Sequence, residues 1–245
     1  MTDQVGQLYV APVARETPPD RIAELIRCAA EVFIAQGYRR TQMADVATAL
    51  GVAKGTLYLY VESKEALFDL VARYTDVQAP FDNPPVLPVP TPKSGQTLRY
   101  VRERLRKNRA PATLLKALKG RPAADSRAEL EAIVRELYDT LRANRVGIKL
   151  IDSSARDTPE LAALWFKGAR GGLLELLTRY LADRSRQKRL RPTPDPAVAA
   201  RLVLEMLVFW AVHRHWDAAP QAVAEQVAKE SAVHFIVSAL AKDEL

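Results

Sequence analysis

The sequence predicts an all-α protein in two parts, a small N-terminal helical unit and a larger helical domain, and three observations carry that expectation. Apolar residues recur at spacings of three and four along almost the whole chain, the period of a helix with one buried face, and no segment reads convincingly as a strand. Prolines 80, 84, 85, 88, 90 and 92 crowd into one stretch, which cannot be helical because proline lacks the amide donor and clashes with the preceding turn. On the N-terminal side of that stretch, the tight turn Leu50-Gly51-Val52-Ala53 joins two short helical units. Residues 1–18 are therefore read as a flexible arm, 19–79 as the first domain, 80–95 as a proline-rich linker and 96–245 as the second domain.

The first helix starts at Thr17-Pro18-Pro19-Asp20, with Thr17 as N-cap and proline in the first turn. Ile22, Leu25, Ile26, Ala29 and Phe33 form its apolar stripe, and Gly37 closes it where a left-handed residue costs least. Cys28, within this helix, is expected to pack as a small apolar residue. Three short helices follow over 42–50, 54–60 and 64–78. Beyond the linker, helices are expected over 96–108, 111–119, 126–152, 159–187, 195–216 and 220–241, each break holding a proline, a glycine or a capping residue.

A chain of 245 residues buries roughly 70 to 75% of its unfolded surface, so it needs neither disulfide nor metal as a staple. One cysteine, no metal-ligand spacing and no apolar signal run near the N-terminus imply a reducing, intracellular setting. The longest apolar stretch, 197–212, is interrupted by Arg201 and Glu205 and falls short of the roughly 20 residues a bilayer needs, so no membrane partner is expected. The net charge of +7 is unevenly placed. Residues 1–64 carry seven Lys/Arg against seven Asp/Glu, whereas 93–121 carry ten against Glu103 alone. Such a segment suits nucleic acid, an anionic ligand or a solvated face, and charge by itself does not choose.

Residues 41–60 read as a helix, a glycine turn and a second short helix. Ala47 is small where the two helices cross, and Val46, Leu50, Val52 and Leu57 can fill the core between them. The free face of the second helix shows Lys54, Gly55, Thr56, Tyr58 and Tyr60. An ammonium, hydroxyls and an open backbone amide suit phosphate oxygens and base edges. A plain structural hairpin with inward tyrosines is the other reading of the same periodicity.

Gly37-Tyr38, Thr41, Asp45-Val46-Ala47, Gly51-Val52, Lys54-Gly55-Thr56-Leu57-Tyr58, Tyr60 and Ser63-Lys64-Glu65-Ala66-Leu67 resemble the N-terminal domain of the TetR family of bacterial transcriptional regulators, over about residues 19–79. The resemblance implies a cytoplasmic, all-helical homodimer. Its helix-turn-helix, at about 42–61, would bind double-stranded operator DNA, and its larger domain would bind a ligand and dimerise. By matching positions, Thr41 and Lys64 would contact phosphates, while Lys54, Gly55, Thr56, Tyr58 and Tyr60 would face the major groove. The expected function is a repressor released from a palindromic operator by a small hydrophobic or amphipathic inducer, with no catalytic residue, metal or cofactor; a helical carrier or enzyme with a merely structural hairpin is the alternative. Two positions depart from the family pattern. Ala53 stands where serine is frequent, which removes a side-chain cap worth typically ~1 kcal/mol, and Val61 stands where an aromatic residue is common.

In the second domain, Tyr100, Tyr138, Trp165, Phe166 and Phe209 are the aromatic residues expected to line a pocket. Val198, Leu202, Met206 and Phe209 on one of the last two helices, with Val227, Val233, Ile236 and Val237 on the other, are expected to meet their two-fold copies in a four-helix interface. His213 and His215, two apart on a helix, cannot share a metal as an i, i+4 pair would. Asp152-Ser153-Ser154 and the glycines 168, 171 and 172 lack the surroundings of a nucleophile elbow or a phosphate loop. The terminal Lys-Asp-Glu-Leu matches a retention address that acts only in a secretory lumen, and is read as coincidence.

Overall fold

Ile22, Leu25, Ala29 and Phe33 point the same way from the first helix because 3.6 residues complete a turn, and all four are buried. In the computed structural model, which describes residues 19–76, 85–120 and 123–242, that helix is α1 (Pro19–Gln36). The N-terminal arm with its Thr17 cap, residues 77–84 of the first domain's end and the linker, and residues 243–245 lie outside the described residues. Against α1 pack α2 (Met43–Leu50) and α4 (Lys64–Tyr74), and α3 (Lys54–Leu57) packs on α2. Gly37 and Gly51 take φ values of 79° and 68°, the left-handed conformation that ends α1 and α2 without strain. Ser63 caps α4 by accepting from the Ala66 amide at 3.1 Å, and Phe33, Tyr38 and Phe68 meet edge to face and stacked beneath it.

The described end of the proline-rich stretch, from Pro85 onward, is not helical, as its prolines dictate, yet it does not hang free. Val89 lies in a parallel bridge with Val61: its amide donates to the Tyr60 carbonyl at 2.8 Å and its carbonyl accepts from the Glu62 amide at 3.0 Å. Thr91 adds bonds to the Glu62 carboxylate (2.8 Å) and the Ser63 hydroxyl (2.9 Å). Residues 85–92 thus form a strap across the exit of α3. Val61, where the family pattern carries an aromatic residue, is wholly buried under it, and β-branched residues on both sides suit an extended pairing.

Beyond the strap come α5 (Gln96–Lys107), α6 (Ala112–Lys119), α7 (Ser126–Ala143), α8 (Arg145–Ala155), the single turn α9 (Pro159–Ala162), a π-helical segment (Ala163–Arg170), α10 (Gly171–Arg186), α11 (Pro196–Ala211), a 3-10 turn (His213–Trp216) and α12 (Glu225–Leu240). Among the described residues there is no named strand. Several expected boundaries are corrected. The helix expected over 126–152 breaks at Asn144, whose side-chain amide bonds back to the Thr140 carbonyl while Asp76 captures the Val146 and Gly147 amides that open α8. The helix expected over 54–60 stops as helix at Leu57 and continues as turns. The helix expected over 159–187 contains the π segment, a widened coil that in proteins concentrates at functional sites. The helix expected over 220–241 starts only at Glu225, because Arg214 holds the Val223 carbonyl (2.8 Å) and the Glu225 carboxylate (3.1 Å) and keeps the preceding residues extended.

Two apolar cores result. The first joins α1–α4 but also takes Val101 of α5, Leu150, Ile151 and Ala155 of α8 and Leu161 of α9, so the N-terminal unit is seated on the second domain rather than tethered to it. The second gathers α6, α7, α10, α11 and α12 around Tyr138 and Tyr180, both wholly buried. Among the described residues no helix is long and apolar enough to cross a membrane.

Candidate nucleic-acid interface and ligand cavity

The α2 and α3 helices meet through buried Val46, Ala47, Leu50 and Leu57, which leaves the opposite side of α3 outward. Lys54, Gly55 and Tyr58 are exposed there, and Thr56 and Tyr60 are half-buried. Ala53 opens α3 with no side-chain cap, as the sequence implies, and the Thr56 amide donates instead to the Ala53 carbonyl at 2.9 Å. Leu59, 69% exposed beside Tyr58, was not among the residues expected here. An apolar side chain so placed suits a thymine methyl, and its only sequence signal is a leucine in a turn with no inward register to fill.

Two expected phosphate contacts are engaged elsewhere. The Thr41 hydroxyl is buried and donates to the Gly37 carbonyl at 2.8 Å. Lys64 lies over the Tyr38 ring and gives its ammonium hydrogens to the carbonyls of Tyr38 (3.1 Å), Arg39 (3.3 Å) and Thr41 (3.0 Å). Its position locks the turn between α1 and α2 onto α4. Tyr38 is drawn into the same contact: burial first, and then the Glu65 carboxylate, push its hydroxyl up to about 12.

Behind this unit a cavity of about 120 Å³ lies between α4, α5, α7, α8, the π segment and α11. Its wall is mainly aliphatic, with Leu105, Leu137, Leu141, Ile148, Leu173 and Val208 among the lining residues. Of the five expected pocket aromatics only Trp165 lines it, its indole donating to Asp152 at 2.9 Å. Tyr138 is packed in the second core with its hydroxyl on Glu225 (2.7 Å), and Tyr100 lies against the Arg73 guanidinium. Phe166 and Phe209 face outward, 37% and 40% exposed. Amphipathic spacing marks which face of a helix is apolar, but not whether that face meets a void or a neighbour.

Two polar residues of the cavity, Asp76 and His213, were not among those expected to line it. Asp76, just past α4, accepts from Arg104 (2.8 Å) and from the Val146 and Gly147 amides (3.1 Å each). Burial raises its carboxyl pKa against the pull of Arg104. His213 lowers its own pKa chiefly through burial, with Lys149 adding to it, and its Nδ1 is buried with no partner among the described residues.

On the far side of the second core, Val198 (57% exposed), Leu202 (64%) and Phe209 lie along one row of α11, with Met206 half-buried between them. On α12 the outward apolar residues are Val227 and Phe235. Val233, Ile236 and Val237, expected at an interface, turn inward at 3% exposed and belong to the chain's own core.

Residues 25–71 match the family model of bacterial regulatory proteins of the tetR family, and residues 128–241 match that of the AefR-like transcriptional repressor C-terminal domain. The chain belongs to the TetR family. Among curated relatives, it is 40% identical over 53 residues to the HTH-type transcriptional repressor KstR2 of Rhodococcus jostii (strain RHA1), a stretch covering 22% of this chain and 26% of that protein. The KstR2 repressor of Mycolicibacterium smegmatis is 34% identical over 64 residues, 26% of this chain and 31% of its own length. These matches therefore span less than a third of either TetR relative. The structure of the ketosteroid transcriptional regulator KstR2 of Mycobacterium tuberculosis superposes with a TM-score of 0.55 at 15% identity, covering 91% of this chain and 96% of that one, which shows the TetR fold.

Proposed function

We propose that this TetR-family chain is a dimeric, DNA-binding transcriptional repressor that leaves its operator when a small amphipathic molecule occupies the second domain. The observation that carries the reading is the outward side of α3 and the turn after it, where Lys54, Gly55, Tyr58 and Leu59 are exposed on a unit held by the buried core of a helix-turn-helix. Residues 19–79 are the DNA-reading unit in this proposal, residues 80–95 the strap region and residues 96–245 the ligand and dimer domain. It acts in the cytoplasm, where bacterial DNA is found.

Two-fold pairing through Val198, Leu202 and Phe209 of α11 and Val227 and Phe235 of α12 would bury a row that the monomer leaves in water. It would set two recognition helices about 34 to 36 Å apart, the repeat of successive major grooves. The cavity, at about 120 Å³, is of the order that accepts one small ring, so a larger ligand must part α5, α8 and the π segment. Because Asp76 ties the end of α4 to that wall, parting it moves the DNA-reading unit.

A gel-shift and footprint on DNA flanking the gene tests the proposal. Protection of a palindrome by the wild-type chain, lost in Lys54→Glu and Tyr58→Ala, is the expected result. Equal retention of any duplex would count against sequence-specific repression.

A further inference from the structure

The cavity does not end at its aliphatic wall. Leu105, Arg109, Ala169 and Leu173 line both the cavity and an outer cleft of about 810 Å³ between α5, the π segment and the start of α10. Half-buried Leu164, Leu173 and Leu176 give the cleft an apolar floor. At Gly172 an added Cβ would meet nothing within 4 Å, so the cleft is open above the helix backbone.

The α5 side of the cleft is strongly basic. Arg102 and Arg106, at i and i+4, share one face of α5, and Arg109, in the bend beyond the helix, lines the same cleft with Lys107. All four are exposed, and among the described residues none makes an ion pair or hydrogen bond. Glu103 and Glu175 are the carboxylates of the lining. Like charges four apart on a helix repel, at a cost of a few tenths of a kcal/mol per pair. Arg106 and Lys107 complement the C-terminal end of the helix dipole, but Arg102 precedes the last turn and Arg109 lies beyond the helix. The start of α5 is fixed to α4 by Thr97 on Asp69 at 2.7 Å, and Arg106 lies about 14 Å further along the helix, lining the outer cleft.

We propose that this cleft takes the multiply charged, phosphate-type head of an amphiphile whose apolar body enters the cavity between Leu105, Ala169 and Leu173. Guanidinium groups in a row can each fork onto a phosphate oxygen pair, whereas one carboxylate satisfies one of them. At the inner end, the unpartnered Nδ1 of His213 offers the body a single hydrogen-bonding point. This assignment rests on the ligand-responsive reading above and names the chemistry of its ligand.

The test is calorimetric titration of the full-length chain, without DNA, using dodecanol, dodecyl phosphate and dodecyl diphosphate at one salt concentration. Affinity should rise from alcohol to diphosphate by about tenfold or more. Arg102→Gln/Arg106→Gln, at two exposed positions with no described partner, should abolish that gain while leaving dodecanol within about twofold. Ala169→Trp should weaken all three probes by closing the throat, and circular dichroism checks that it folds. Equal affinities for alcohol and diphosphate, a head-group gain that survives in the double variant, or no binding of any probe would each overturn the assignment. Operator gel-shifts run in parallel separate the two claims, because a chain that holds DNA but ignores the head group refutes only this one, and a chain that prefers the diphosphate but holds no DNA refutes only the regulator.

Discussion

Arg104 of α5 holds Asp76, two residues past the end of α4, at 2.8 Å, and the same guanidinium donates to the Ala72 carbonyl at 3.0 Å and to Asn144 Oδ1 at 3.1 Å. Their side chains are 23% and 6% exposed. One ion pair therefore ties the last helix of the DNA-reading unit to α5, to the start of α8 and to the wall of the cavity. Because desolvation offsets much of its Coulomb energy, the pair is better read as a positional lock than as a source of stability.

Breaking that lock from one side should be costly. Arg104→Met leaves Asp76 buried without its cation, and the expected loss is about 3 kcal/mol in urea unfolding at neutral pH. Burial already raises the Asp76 pKa, and without Arg104 it rises further. An acid whose folded pKa is raised destabilises the fold when ionised, so the loss should shrink as pH falls through that raised value towards the ordinary 3.8. A pH-independent loss would show that packing, not charge, is what Arg104 supplies.

Gly147 opens α8 directly against Asp76, and a Cβ there would collide with the carboxylate oxygen. Gly147→Ala should push Asp76 off the α8 amides, costing about 1 to 3 kcal/mol and lowering operator affinity although the residue lies far from the reading face. Thermal unfolding and gel-shift on the same preparation check it; full DNA affinity in a destabilised variant would separate the lock from DNA reading.

The strap should steady the exit of α3. Val89→Pro removes the amide that donates to the Tyr60 carbonyl, a loss of about 1 kcal/mol in stability. Hydrogen exchange of the amides at 58–62 should rise in the variant. Unchanged exchange would mean that the strap merely covers Val61.

Lys64 offers a sharper test of where phosphate contacts come from. With its ammonium on three carbonyls, Lys64→Met should lower the melting temperature and leave the salt dependence of DNA binding unchanged. A slope flattened by about one unit would instead place this ammonium on a phosphate in the complex.

Acid should loosen the second domain. Burial first, then Lys149, lowers the pKa of His213, and burial first, then Arg145, lowers that of His215; nearby Asp152, Glu205 and Glu225 oppose these shifts without cancelling them. The folded chain thus keeps both imidazoles neutral while the unfolded chain protonates them near 6.5. Stability is complete above that value and is lost as pH falls through 6.5 towards the lowered pKa values. His213→Gln/His215→Gln should flatten the slope of melting temperature against pH between about 7.5 and 5.5. An undiminished slope would assign the acid sensitivity to other groups.

The all-α class, the helix breaks at proline and glycine, the α2–turn–α3 unit and the outward set Lys54, Gly55 and Tyr58 were determined by the sequence itself. Each depends on neighbours within a few residues: 3.6-residue periodicity, the left-handed tolerance of Gly51, and the missing amide of proline. Tertiary structure decided the rest. It fixed which apolar faces of α11 and α12 turn inward, which aromatic residue borders the cavity, and which backbone carbonyls Thr41 and Lys64 bond. It also placed Asp76 on Arg104 and on the amides of α8, residues 28 and about 70 positions away. Local pattern is set by backbone geometry and is visible in one dimension. Cavities, locks and buried charges are set by which distant surfaces meet, and that depends on packing between helices whose individual sequences are compatible with several partners.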